Sequence, residues 1–386
     1  MQSFYDVIVI GLGGMGSSAS YQLARRGKKV LGLERYNPPH EWGSSHGRSR
    51  IIRQAYFEDP AYVPLLLRAY ELWEQLERDS GRDILTITGG LMMGHPESDL
   101  VEGSRESAGR HDLPHEILEA PEIKRRFPVF EPTPETVALY EPRAGLVRPE
   151  TSIAAHLEHA ARRGADLRFG EPVRSWDAGP GGEGVVVKTG SGTYEAERLV
   201  ISAGSWAPEI LSEMGLPLEV TRQLLFWFEP DDVELFRPEG FPVYIWEPED
   251  GNTFYGIPAH DGERGVKAAF FRADAVPCTP ETIAREVEDD EVDFVRGYMA
   301  RYLPRLDGRL LQAQTCMYTN TPDLHFVISP NPQLEQVIVA AGFSGHGYKM
   351  ASVVGEILAD LATDGETRHP IDLFSPDRSF PPTTKD

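Results

Sequence analysis

The sequence predicts an α/β chain. A parallel-sheet domain is assembled from separated segments, and a mostly antiparallel α+β domain is inserted between them. Three observations predict this. The strand-like run Tyr5-Asp6-Val7-Ile8-Val9-Ile10 leads into Gly11-Leu12-Gly13-Gly14-Met15-Gly16 and a helical stretch. Near the other end, Val337-Ile338-Val339-Ala340-Ala341 leads into a second glycine-rich turn, Gly342–Lys349, and an amphipathic helix. Between the two units lie long tracts of short strands and Pro-rich loops.

Residues 5–10 read as a buried strand, 14–26 as a helix and 29–34 as the next strand, a βαβ unit of about 30 residues. A polar loop follows at 37–49. Residues 60–79 place Tyr62, Leu65, Leu66, Ala69, Leu72, Trp73 and Leu76 on one side of a helix. From 83 to 145 short strands and loops are expected, then a helix over 149–164. Strands and turns fill 166–200, with glycine clusters at 179–182 and 190–192 marking the turns. A buried strand, 198–204, closes that block. Residues 217–315 read as a second strand-rich block containing a helix over 280–301. In the last unit Met350, Val353, Val354, Ile357, Leu358 and Leu361 fit one helix face. The domain reading is therefore 1–82, 146–216 and 316–386 for the first domain, with 83–145 and 217–315 for the inserted one.

Composition excludes several classes. The formal charge of −22 over 386 residues argues against nucleic acid or an anionic membrane as partner. No apolar run reaches the ~20 residues of a membrane span. The first residues show no basic region or cleavage site. A cytoplasmic monomer is expected. Cys278 and Cys316 make no disulfide framework, and no metal site is expected.

Gly11-x-Gly13-x-x-Gly16 between a strand and a helix is a dinucleotide fingerprint. Gly11 permits the tight turn, Gly13 lets a pyrophosphate approach, and Gly16 lets the helix pack closely. The helix N-terminus offers N–H groups and positive potential. Glu34 ends the second strand, where a carboxylate meets a ribose hydroxyl. The fingerprint alone leaves NAD and FAD open. The second glycine turn, at a helix start, would suit negative charge on a reduced flavin ring.

Several further stretches point to one family. They are Pro38-Pro39-His40, Gly43-Ser44-Ser45-His46-Gly47-Arg48-Ser49-Arg50-Ile51-Ile52-Arg53, Ala55-Tyr56 and Tyr62-Val63-Pro64-Leu65. Later come Ala203-Gly204-Ser205-Trp206, Tyr255-Gly256-Ile257-Pro258, Gly265-Val266-Lys267, Thr315-Cys316-Met317-Tyr318 and Gly342–Lys349. Together they resemble the monomeric sarcosine oxidase and N-methyltryptophan oxidase family over essentially the whole chain. The resemblance implies an FAD-binding Rossmann-like domain of the glutathione-reductase/hydroxybenzoate-hydroxylase type. It also implies oxidation of secondary amino acids by O2, with H2O2 as product.

The resemblance assigns residues. Cys316 matches the cysteine joined covalently to the flavin; Cys278 matches nothing and reads as a structural thiol. Arg53 and Lys349 match a carboxylate-binding pair, a cation fork that aims the substrate C–H. Lys267 matches the lysine over the flavin face, where a cation stabilises the superoxide formed in oxygen reduction. Arg50 and His46 match residues beside the flavin ring, where a cation favours the reduced form. Tyr255 matches a pocket tyrosine, and Ser49 replaces a threonine. Gly345, His346 and Gly347 would line the flavin. Gly14, Met15, Arg35, Ser44, Val173, Ala203, Trp206 and Tyr318 complete the expected cofactor site.

One departure bears on substrate. The family carries a histidine four residues after the lysine equivalent to Lys267, and here that residue is Phe271. Ile245 stands where the family has a pocket methionine. The expectation is an N-methyl or cyclic amino acid with an apolar side chain, such as N-methyl-L-alanine, L-proline or L-pipecolate, in preference to sarcosine. Three alternatives are a flavin dehydrogenase that passes electrons to a carrier, an NAD-dependent dehydrogenase and a non-enzymatic sensor. Lys267 argues against the first and Cys316 against the second. Lys267, Arg53 and Lys349 together argue against the third.

Overall fold

The computed structural model describes residues 4–272 and 275–381. Its first sheet has the parallel strands Asp166–Arg168, Val30–Leu33, Phe4–Ile10 and Thr193–Ile201 side by side, with Leu334–Ala341 parallel to the last of these. Antiparallel strands Val185–Thr189 and Val173–Ala178 extend it on the far side of Thr193–Ile201. The central strand reads YDVIVI because both of its faces are covered. One face carries Gly14–Arg25, Val63–Ser80, Pro149–Arg162 and Ala351–Thr363, whose apolar stripes merge into one core around Trp73 and Met350. All seven residues expected on one side of the 60–79 stretch are buried.

The second sheet, nine strands, is mostly antiparallel. Its long pair, Glu219–Phe228 with Leu310–Asn320, runs from Glu219 opposite Asn320 to Phe228 opposite Leu310. Next to it come Val266–Phe270, Phe254–Ile257 and Val243–Glu247. A separate aromatic core, with Phe130, Phe241, Tyr244, Trp246 and Tyr302, lies behind them. A small three-stranded sheet (Arg50–Ile52, Gly145–Val147, Leu85–Ile87) joins the two bodies.

Three expectations are corrected. The boundary at residue 316 falls inside Leu310–Asn320, and pairing with Glu219–Phe228 carries that strand to Asn320 in the inserted domain. The helix expected over 280–301 is Asp289–Tyr302, because a capping box between Glu288 and Glu291 starts it there. The tract 83–145 also contains a helix, Asp99–Arg110, capped by the Ser98 side chain.

Candidate active site

Gly11 follows the central strand with φ +83°, and a Cβ there would lie 2.6 Å from Ser202 O. At Gly16 a Cβ would lie 1.8 Å from Gly11 O, so helix and turn are in direct contact. The helix begins without a side-chain cap from Gly13 and without an acid in its first turn. Its positive end is therefore free to meet an anion.

This turn opens into a long cavity between the two sheets. Gly11, Gly13, Gly14, Met15, Glu34, Arg35, Ser44, Val173, Ala203, Trp206, Tyr318, Gly345 and Gly347 all line it, as does Arg50. Glu34 is buried and accepts from Leu12 N at 2.7 Å and Tyr36 N at 3.1 Å. Burial opposes its charge, yet His40 and these N–H groups hold the carboxyl below its usual range. Arg35 stacks on Trp206, which caps one side through a 3.1 Å bond to Glu281.

Gly16, His46, Ser49, Lys267 and Cys316 are not walls of this cavity; the last two touch residues beside it. Cys316 Sγ lies 3.8 Å from Arg50 Nη2 and 3.7 Å from Ser44 O. Lys267 Nζ donates to Gly47 O at 2.5 Å and Ser49 O at 2.7 Å, over the Trp227 ring. Burial, then the charge of Arg50, pushes its pKa well below the usual lysine value. For His46, burial and the cations Arg50 and Lys267 push the pKa down to about 3. His46 is therefore neutral near pH 7, which corrects the expectation of a second cation beside Arg50. His346 turns its ring away to Tyr56 OH and Leu324 O and is likewise held neutral by burial, with a pKa of about 3.

A second, smaller cavity shares Arg50, Tyr318, Gly345 and Tyr348 with the first. It gathers all five residues expected to bind substrate: Arg53, Lys349, Tyr255, Ile245 and Phe271. Ile245 and Tyr255 face each other across paired strands. Arg53 is placed by its loop. Glu141, buried, accepts from Gln54 N and Ala55 N at 2.8 Å, so the chain must turn there. Lys349 donates to His346 O at 2.7 Å, and burial followed by the charge of Arg53 lowers its pKa to about 7.

Residues 6–361 match the FAD dependent oxidoreductase family. Over 381 residues the chain is 56% identical to monomeric sarcosine oxidase of Streptomyces avermitilis, covering 98% of both chains. The chain belongs to this family. It is also 33% identical to N-methyl-L-tryptophan oxidase of Yersinia pestis, across 96% of this chain and 98% of that one. Among solved structures, the amino acid oxidase NikD of nikkomycin biosynthesis superposes with a TM-score of 0.85 at 25% identity, over 97% of this chain and 98% of that one. L-Proline dehydrogenase of P. horikoshii has the same fold, with a TM-score of 0.85 at 24% identity over 97% of this chain and 98% of that one.

The residues fit the family's FAD. The long cavity starts at an uncapped helix end with the glycine turn packed against it, and reaches the second glycine turn at Gly345 and Gly347. Two walls of the second cavity, Phe57 and Glu58, escaped the sequence reading, as did Arg272 next to Phe271. Glu58 pairs with Arg53, and Arg272 stacks on Phe271 at 4.1 Å. Their neighbours on the chain, Arg53 and Phe271, were the available signal.

Proposed function

We propose that this FAD-dependent amine oxidase acts on secondary amino acids, including N-methyl and cyclic ones. Oxidation of the C–N bond gives an imine. With an N-methyl substrate, one O2 and one water yield the primary amino acid, formaldehyde and H2O2. The observation that carries the reading is the second cavity, where Arg53 and Lys349 stand beside Ile245, Tyr255 and Phe271 next to the long cavity.

Bound FAD supplies the two-electron acceptor for the C–H beside the amine nitrogen. The chain does the positioning. Arg53 and Lys349 hold the carboxylate, while Ile245, Tyr255 and Phe271 exclude water and seat the side chain. Arg50 supplies fixed positive charge at the junction of the two cavities. Lys267 supplies the cation for oxygen reduction, held in place by Gly47 O and Ser49 O. No side-chain base is required, because the uncharged amine reacts.

Cys316, with Sγ beside Ser44 and Arg50 at the cavity edge, is our candidate for covalent attachment of FAD. Both cysteines are free thiols, which suits a cytoplasmic enzyme. We read it as a monomer with O2 as acceptor. No helix among the described residues is long and apolar enough to cross a membrane.

The test is acid precipitation, then anaerobic addition of N-methyl amino acids to native protein. Colour retained in the pellet and bleaching by substrate support the reading, with H2O2 formed when air is admitted. Colour in the supernatant removes the Cys316 bond alone. Bleaching without peroxide favours a dehydrogenase.

A further inference from the structure

Beyond the second cavity lies a wide vestibule that shares Phe57 and Glu58 with it. Its rim carries exposed Asp99, Glu102 and Glu106 against exposed Arg105, so it opens to solvent and is acidic on balance. Such a lining repels the carboxylate that the inner cavity is read to bind.

The inner cations are weaker than they look from the sequence. Arg53 is paired with Glu58 at 2.6 Å, and its Nη1 is occupied by Ala55 O at 2.8 Å. That pair carries no net charge. Lys349 titrates at about 7, so its charge fades above neutrality. Yet at the throat, where Phe57 meets Phe271 edge to face, Arg272 lines the vestibule. Its Nη2 donates to Ser344 O at 2.8 Å, but its buried Nε has no partner. The Oε1 of Glu58, on the same wall, also has none. Arg272 adopts φ +68°, a conformation rare for a side-chain-bearing residue, which holds it over the Phe271 ring.

We propose that Arg272 is a substrate-binding residue: at the throat it supplies the net positive charge that draws in and holds the carboxylate of a secondary amino acid. The proposal rests on the reading of the second cavity given above. With Arg53 and Glu58 cancelling, the cations left are Arg50 at the inner end of the cavity, protonated Lys349, and Arg272 at the throat, where the carboxylate enters. Arg272 thus sets specificity for amines bearing a carboxylate over amines without one.

Sarcosine and N-methyl-L-alanine are titrated against the anaerobic bleaching of the holoenzyme from pH 6 to 9, in wild type, Arg272→Gln and Arg272→Lys. Flavin content and melting temperature are checked first. The limiting bleaching rate is expected to change little in Arg272→Gln, while the apparent Kd rises about tenfold. The rise of Kd with pH is expected to set in at higher pH in Arg272→Gln than in wild type, because Arg272 is one of the charges that hold the Lys349 pKa down. Arg272→Lys restores most of the affinity. N-Methylbenzylamine, which lacks the carboxylate, shows no such loss. An unchanged Kd, an onset of the Kd rise that does not move, or a lysine variant as weak as glutamine overturns the proposal. If Arg272→Gln fails to hold flavin, the lysine variant and the benzylamine comparison decide it. Wild type that no N-methyl amino acid bleaches overturns the underlying reading instead.

Discussion

Arg53 Nη2 stands 2.6 Å from Glu58 Oε2 with both side chains almost wholly buried, 2% and 8% exposed. Burial alone would raise the Glu58 pKa, but Arg53, with His346 and Lys349 adding to it, holds the carboxyl down to about 2, against an ordinary 4.5. A carboxyl with a depressed folded pKa contributes stability that is full above about 4.5 and lost as pH falls through 2. At 1.36 kcal/mol per unit the contribution is about 3 kcal/mol. Wild-type protein is therefore expected to lose melting temperature steeply between pH 4.5 and 2. Glu58→Gln leaves a buried guanidinium without its counter-charge and is expected to cost roughly 3–5 kcal/mol at pH 7. Melting curves of the two proteins that run parallel from pH 7 to 2 would contradict this.

Gly16 tests the dinucleotide turn. A Cβ there meets backbone, the carbonyl of Gly11 at 1.8 Å, rather than a side chain that could swing aside. Gly16→Ala is expected to push the helix off the turn, and so to abolish flavin retention. The ratio of flavin to protein absorbance reads this out. A fully yellow Gly16→Ala protein would mean that the turn can move without losing the cofactor.

The fingerprint, its strands and the helical face of 60–79 were legible because each is a local pattern with a period. The helix Asp99–Arg110 was not, since Gly103 and Gly109 dilute its pattern. The reason for Gly103 is tertiary: a Cβ there would lie 2.4 Å from Phe57 O. Resemblance supplied Arg53, Lys349, Tyr255, Ile245 and Phe271 as separate positions, and only the fold shows them in one cavity. Glu58 and Arg272 carried no signal of their own. A charged residue in a loop reads as solvated until the structure buries it. The neutrality of His46 was equally hidden, because burial and two neighbouring cations produce it.

Lys267 is held by two carbonyls with its pKa well below the usual value, burial and Arg50 being the causes. If its cation assists oxygen reduction, reoxidation is fastest below its folded pKa and slows as pH rises through it. Lys267→Met is expected to slow reoxidation by about 10²-fold or more, with reduction little changed and the pH dependence flattened. Stopped-flow measurement of the two half-reactions separates these. Equal losses in both would remove the assigned role.

Phe271 closes the second cavity where the family has a histidine, meeting Phe57 at 6.5 Å and Tyr318 at 6.3 Å between ring centres. Ile245, opposite Tyr255, continues this apolar and aromatic side of the cavity. A hydrophobic wall separates substrates by about 1–3 kcal/mol per added methylene. N-Methyl-L-alanine and L-pipecolate should therefore lead sarcosine in kcat/KM. Phe271→His replaces the apolar ring by a smaller polar one, so the ratio of kcat/KM for N-methyl-L-alanine over sarcosine is expected to fall about tenfold. A wild-type enzyme that clearly prefers sarcosine would show that the ring does not seat the side chain. An unchanged ratio in Phe271→His would place the selectivity on the other walls, Ile245 and Tyr255.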